Sequence, residues 1–204
     1  MQIERIRAQI EEGKIFEQQS GVLHRAVVDL TKTNGVRVTE LQVKTIIDFV
    51  TAYIEHAPAL MMIIEETAAM SGAQPDVQPI LDVTDDYFLA PDDIIPDHYG
   101  LVGLLDDAYL THMLMEAISD RLKLQTGKSL LPIEAHETNR FIRRLIGEPF
   151  VSILDEHVAT TLDGLGQEQI INQILAALAQ MNLSSVAEPI WGHAPVTEII
   201  GARI

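Results

Sequence analysis

The chain has 204 residues, 47% of them hydrophobic, with 14 Lys and Arg against 30 Asp and Glu and a formal net charge of -16. That length is enough to bury a core in one domain, and a surface this acidic makes nucleic acid and anionic lipid poor partners. The absence of Cys removes disulfides, thiolate metal sites and cysteine nucleophiles, which fits a reducing compartment.

The first stretch, residues 2–32, spaces Ile3, Ile6, Ile10, Phe16, Leu23, Val27 and Leu30 mostly three or four apart. This predicts one long or broken amphipathic helix, weakened at Gly13 and Gly21. Its alternating charges do not resemble a secretion signal, and no uncharged apolar run reaches the ~20 residues that span a bilayer, so a cytoplasmic protein is expected. Asn34-Gly35 signals a turn. Thr39 followed by Gln42 forms a capping box ahead of Val43, Ile46, Ile47, Val50 and Ile54, which predicts a second helix. Pro58 is expected in the first turn of a third helix running to a stop at Gly72, because a proline lacks the amide that a helix interior needs.

Residues 72–80 hold two prolines and a glycine and read as an exposed connection, followed by a short helix or turn over Ile80 to Leu89. The segment from Tyr87 to Asp107 reads YFLAPDDIIPDHYGLVGLLDD. Ala90 precedes a proline and is pushed out of the helical region, so the preceding helix ends by about Leu89. Asp92, Asp93 and Asp97 can close turns through nearby backbone amides. Asp106 and Asp107 fall at the start of the next helix, where negative charge meets the positive end of the macrodipole. That helix, residues 104–124, is apolar almost all round, which predicts burial at the centre of the molecule. Gly127 and Pro132 then frame a helix to Ile146, and two more follow near 149–163 and 167–181. The tail from Glu188 has no helical period and reads as loosely held.

Tyr87, Pro91, Asp93, Ile95, Pro96, Asp97, Gly103, Asp106 and Asp107 together resemble the YkvA-like family, a bacterial domain of unknown function. The resemblance covers about a tenth of the chain. It implies a small helical module without an established activity, here extending over about residues 75–125. His98 and Gly100 depart from that pattern, and both are expected to loosen the loop.

The structural reading of this loop is a capped corner between two helices, built on Tyr87, Pro91, Asp93, Pro96, Asp97, Gly103, Asp106 and Asp107. The chemical alternative is a Mg or Ca site on Asp93, Asp97, Asp106 and Asp107, since hard cations take carboxylate oxygens. Neighbouring helical residues point ~100° apart, so Asp106 and Asp107 need the loop aspartates to complete such a site. Position 110 is Leu, which rules out a DDxxD motif. His112 and Glu116, one turn apart, suggest a proton-handling pair or two metal ligands, with a satisfied core histidine as the favoured reading. Glu134, His136 and Glu137 bring carboxylate and imidazole together, yet no His has a Glu three residues before it, so a di-iron bundle is disfavoured. Six methionines, Met61, Met62, Met70, Met113, Met115 and Met181, read first as helical core material and second as an adaptable binding groove.

Charge is distributed unevenly. Residues 1–44 sum to +1, residues 45–120 to -15, residues 121–144 to +4 and residues 145–204 to -6. Arg140, Arg143 and Arg144 are the densest basic group, expected either to pair internally with carboxylates or to form a docking patch for an acidic partner or phosphate. Nucleophile elbows, phosphate-binding glycine loops and zinc-protease motifs are missing, so the reading leans away from an enzyme and names no catalytic residue or cofactor beyond the Mg or Ca alternative.

The expected fold is all-α, a single-domain irregular bundle of about seven helices over residues 1–187 around a buried central helix at about 104–124, with the tail at 188–204. The expected function is non-catalytic interaction or scaffolding, with a basic protein or a second copy as partner; the acidic surface opposes membrane association. A divalent-metal protein or metal-dependent enzyme is the alternative.

Overall fold

The computed structural model describes residues 2–33, 35–89, 94–129, 131, 134–165 and 168–180. Among them are eight α-helices and no strand: α1 Ile3–Ser20, α2 Val22–Thr33, α3 Glu40–Ser71, α4 Gln74–Leu89, α5 Gly103–Thr126, α6 Glu134–Ile146, α7 Phe150–Leu165 and α8 Glu168–Gln180. A 3-10 helix, Asp97–Val102, leads directly into α5. The all-α bundle around a central helix is therefore observed, with one helix more than the periodicity suggests. The expected tail at 188–204 lies outside the described residues.

Glycine marks the breaks it should. Gly21 stands at φ 61° and its amide closes α1 onto the Glu17 carbonyl. Gly72 and Gly127 end α3 and α5 in the same left-handed conformation, which costs a residue without Cβ little. The joint between α1 and α2 carries a further device. The Glu17 carboxylate, buried, accepts from the Leu23 amide at 2.8 Å and the His24 amide at 3.0 Å, capping the first turn of α2. At α3 the capping box forms as expected, Thr39 and Gln42 bonding one another's backbone amides.

Proline behaves differently from expectation. Pro58 does not open a third helix; α3 runs uninterrupted through it for 32 residues. The missing amide costs ~3 kcal/mol, yet Ile54, Ala57, Leu60, Met61 and Ile64 around it are all 0% exposed, and each large apolar side chain buried contributes ~1.5–3 kcal/mol. Burial on both sides outweighs the lost bond. The expected exposed connection at 72–80 is likewise mostly helix. Pro75 sits in the first turn of α4, where no amide is required, Pro79 lies inside it, and Val77 and Ile80 are fully buried.

Helix α5 is enclosed by α3, α4, α6, α7, α8 and the 3-10 helix. By length and composition α3 is the one described helix long and apolar enough to cross a membrane, with mean hydropathy 1.3 over its most apolar window. Half of that window is buried inside the fold.

Helix α1 crosses the 3-10 helix through two glycines. Gly100 stands at φ 67°, ψ -128° and breaks the 3-10 geometry, and a Cβ there would come within 2.5 Å of Phe16 Cδ1 and 3.3 Å of the Gly13 carbonyl oxygen. A Cβ on Gly13 would meet Leu104 Cδ1 at 2.9 Å. Both expectations for these residues are corrected. Gly13 does not interrupt α1, and Gly100 fixes a close helix crossing where a loosened loop was expected. Gly100→Ala combines a strained φ with a clash against a ring, and should cost ~1–3 kcal/mol, read as a lower urea midpoint. Gly13→Ala is tight only against the end of the Leu104 side chain, its contacts with Leu101 Cδ2 and the Gly100 carbonyl carbon being 3.4 Å, and should cost less than Gly100→Ala; the reverse order would contradict this account of the crossing.

Candidate functional site

Two groups of polar side chains lie against α5, one at its N-terminal corner and one along its middle. At the corner, residues 90–93 lie outside the described residues, so the expected roles of Pro91 and Asp93 do too. Pro96 is extended, at φ -60° and ψ 134°, and its carbonyl accepts from the Tyr99 amide at 3.0 Å, starting the 3-10 turn. Asp97 is the first residue of that turn; its side chain lies outside the description.

Asp106 and Asp107 are buried, at 1% and 3% exposure. Asp106 Oδ2 accepts from the Ile95 amide at 2.9 Å, so this carboxylate ties the incoming segment to α5 from eleven residues away. Because the 3-10 helix feeds straight into α5, with the Gly103 amide bonded to the Gly100 carbonyl, the α5 terminus is not an open one. The contact of Asp106 is with the loop amide. Tyr87 anchors the other side: its hydroxyl donates to Thr161 Oγ1 on α7 at 3.0 Å, and its ring meets His157 edge-on at 5.6 Å. Among the described residues no group of three or more His, Asp or Glu side chains could hold a metal ion.

The second group joins α3, α5 and α6. His112 is the core histidine of the expected readings, 0% exposed with both ring nitrogens bonded away from Glu116. His112 Nδ1 lies 2.7 Å from the Ala108 carbonyl oxygen and its Nε2 lies 2.9 Å from His56 Nδ1. A carbonyl can only accept, so His112 is protonated on Nδ1, its Nε2 accepts, and His56 Nδ1–H is the donor. The Tyr53 ring stacks on His112 at 4.1 Å. Its hydroxyl donates to Asn139 Oδ1 at 2.9 Å, and Asn139 Nδ2 donates in turn to Glu116 Oε2. Glu116 Oε1 takes a further bond from His136 Nδ1 at 2.6 Å. Of the expected Glu134, His136 and Glu137 group, His136 enters this network and Glu137 is exposed; the Glu134 side chain lies outside the description.

Burial sets the protonation of the histidine pair. It lowers the His56 pKa from 6.5 to about 4. It also lowers that of His112 well below the ordinary value, the neighbouring His56 adding to the effect and the Ala108 carbonyl opposing it. Burial raises the Tyr53 hydroxyl well above its usual range. At neutral pH the pair is therefore uncharged. Periodicity missed it because His56 falls within the buried stripe of α3, where its polarity gives no signal; the only hint was a Tyr and a His three residues apart in that stripe.

The arginine group divides. Arg143 pairs with Asp155, which also accepts from the Tyr109 hydroxyl at 2.8 Å, and this hydrogen bond to the carboxylate raises the Arg143 pKa. Arg140 and Arg144 are exposed and line an open cleft of about 470 Å³ with Gly147, Glu148 and Val151. Of the methionines, Met61 and Met115 are fully buried while Met70 is 90% exposed; Met181 lies outside the described residues.

A family model described as a protein of unknown function (DUF1232) matches residues 87–113, the span from the end of α4 through the 3-10 helix to the middle of α5. No curated protein matches the chain. No solved structure matches it.

The histidine pair makes stability depend on pH. Both folded pKa values lie below the unfolded value of 6.5, so the unfolded chain binds more protons as pH falls through 6.5 toward 4. Stability is complete above that window and is lost on acidification, by up to ~1.4 kcal/mol per pH unit for each histidine. Urea midpoints of the wild type measured at pH 7, 6 and 5 should fall more steeply than those of His56→Gln. Parallel lines would remove the pair from the explanation.

Proposed function

We propose that this chain is a non-catalytic interaction or scaffolding protein, YkvA-like, bacterial and cytoplasmic, that presents an acidic surface to a basic partner protein. The observation that supports it is the face made by α3 and α4. Residues 45–120 contain fifteen Asp and Glu and no Lys or Arg, and Asp48, Glu55, Glu66, Asp82 and Asp86 in these two helices are exposed. Lys44 pairs with Asp48 and Lys14 with Glu55, so these neutralising cations come from outside the run. A surface of one sign steers an oppositely charged partner and repels its own kind. His56 and His112 bond one another in the core, and the Tyr53 hydroxyl is held by Asn139.

A second reading, a divalent-metal protein using Asp93, Asp97, Asp106 and Asp107, draws on the burial of two adjacent carboxylates, which a hard cation would stabilise. Isothermal titration with Mg, Ca and Mn separates the two: binding heat with a rise in Tm favours the metal reading, and flat titrations discard it.

The interaction reading is tested by affinity capture with and without EDTA at several salt concentrations, beside the native mass at micromolar concentration. A basic partner whose capture weakens with salt, survives EDTA and falls about tenfold for Asp82→Asn with Asp86→Asn is expected. Capture that persists unchanged at high salt, or no partner and no oligomer, overturns it.

A further inference from the structure

The crossing of α1 with the 3-10 helix leaves an open groove of about 310 Å³, lined by Gln9, Glu12, Phe16, His98, Gly100 and Leu104 among others. The segment matched by the family model supplies one wall and α1 the other. That volume stands at the low end of ligand sites and suits a single long side chain better than an extended ligand. Three features of the wall specify which side chain.

First, the Glu12 carboxylate is exposed and makes no ion pair among the described residues, because Lys14 is committed to Glu11 and Glu55. Second, Gln9 lines the same wall and its Oε1 is buried without a hydrogen-bond donor among the described residues; an incoming N–H reaches that oxygen when the amide turns outward, a rotation favoured by relief of a deficit of ~1–3 kcal/mol. Third, the Phe16 ring, 37% exposed, lies over Gly100, and His98 and Tyr99 follow with ring centroids 4.4 Å apart. A carboxylate, an unsatisfied amide oxygen and an aromatic ring are what a guanidinium uses: a forked bond to the carboxylate, a spare N–H for the amide, and a flat cation for the ring face. An anion would meet Glu12 without compensation.

We propose that this groove seats an arginine side chain of a basic partner protein. The site rests on the interaction reading above and gives it a place and a chemistry. Gly100 is what makes the seat possible, since a Cβ there would press on Phe16. The two-glycine crossing thus serves binding as well as packing.

The test is a titration of the 15N-labelled full chain with hepta-arginine and hepta-lysine peptides at physiological salt, following backbone amides. Saturating shifts at residues 9–16 and 98–104 are expected, stronger for the arginine peptide. Glu12→Gln should weaken binding about tenfold, whereas Glu156→Gln, an equal change of charge at an exposed position of α7, should leave it within about twofold. Equal losses in the two variants, or shifts confined to α4, overturn the arginine seat while leaving an acidic docking surface standing. No binding anywhere counts against both. Shifts at the groove that depend on protein concentration without peptide would assign it to a second copy and also overturn the proposal.

Discussion

The structure is organised by the burial of α5. A helix that is apolar on nearly every side cannot be satisfied by one neighbour, because each face left open would put leucine and methionine in water. Ala108, Leu114, Met115, Ile118 and Leu122 are all 0% exposed, and helices from both halves of the chain are needed to achieve this. The polar groups that α5 buries are then driven to find partners inside, although Thr111 Oγ1 has no hydrogen-bond partner among the described residues. The two polar groups against α5 follow from that requirement: Asp106 takes an amide from the segment that leads into the helix, and His112 takes an imidazole from α3.

Buried polar groups of this kind also select among packings. The hydrogen bond from His56 to His112 and the bonds from Tyr53 through Asn139 to Glu116 link three helices in one register. Sliding α3 by one residue would leave each of these groups without its partner in a medium of low dielectric. Apolar contacts alone would discriminate less sharply between such neighbouring arrangements. The network sets register in the core, while the surface carries exposed carboxylates on α3 and α4 and an open groove where α1 meets the matched segment.

Much of the fold was legible from local signals. Thr39 with Gln42, Gly21, Gly72 and Gly127 each act within a few residues of chain, and the structure uses each as its chemistry predicts. Pro58 and Pro79 were not legible in the same way, because the cost of a missing amide is local while the burial that outweighs it comes from helices far along the sequence. The same holds for the site. Asp106 was identified as a corner residue, but its bond to Ile95 depends on how the loop returns. His112 was identified as a core histidine candidate, while its partner His56 is 56 residues away on another helix.

The amino-acid order by itself determined that the protein is helical, where most helices stop, that one helix must be central, and that one stretch of chain is acidic without relief. These follow from spacing, caps and charge, which are properties of neighbours along the chain. Tertiary structure alone decided that two prolines sit inside helices, that Gly13 and Gly100 meet, that Glu116 answers α6 where His112 answers α3, and that a groove opens beside Phe16. Each of these is a relation between side chains on different helices, and its energy exists only once packing has removed both from water.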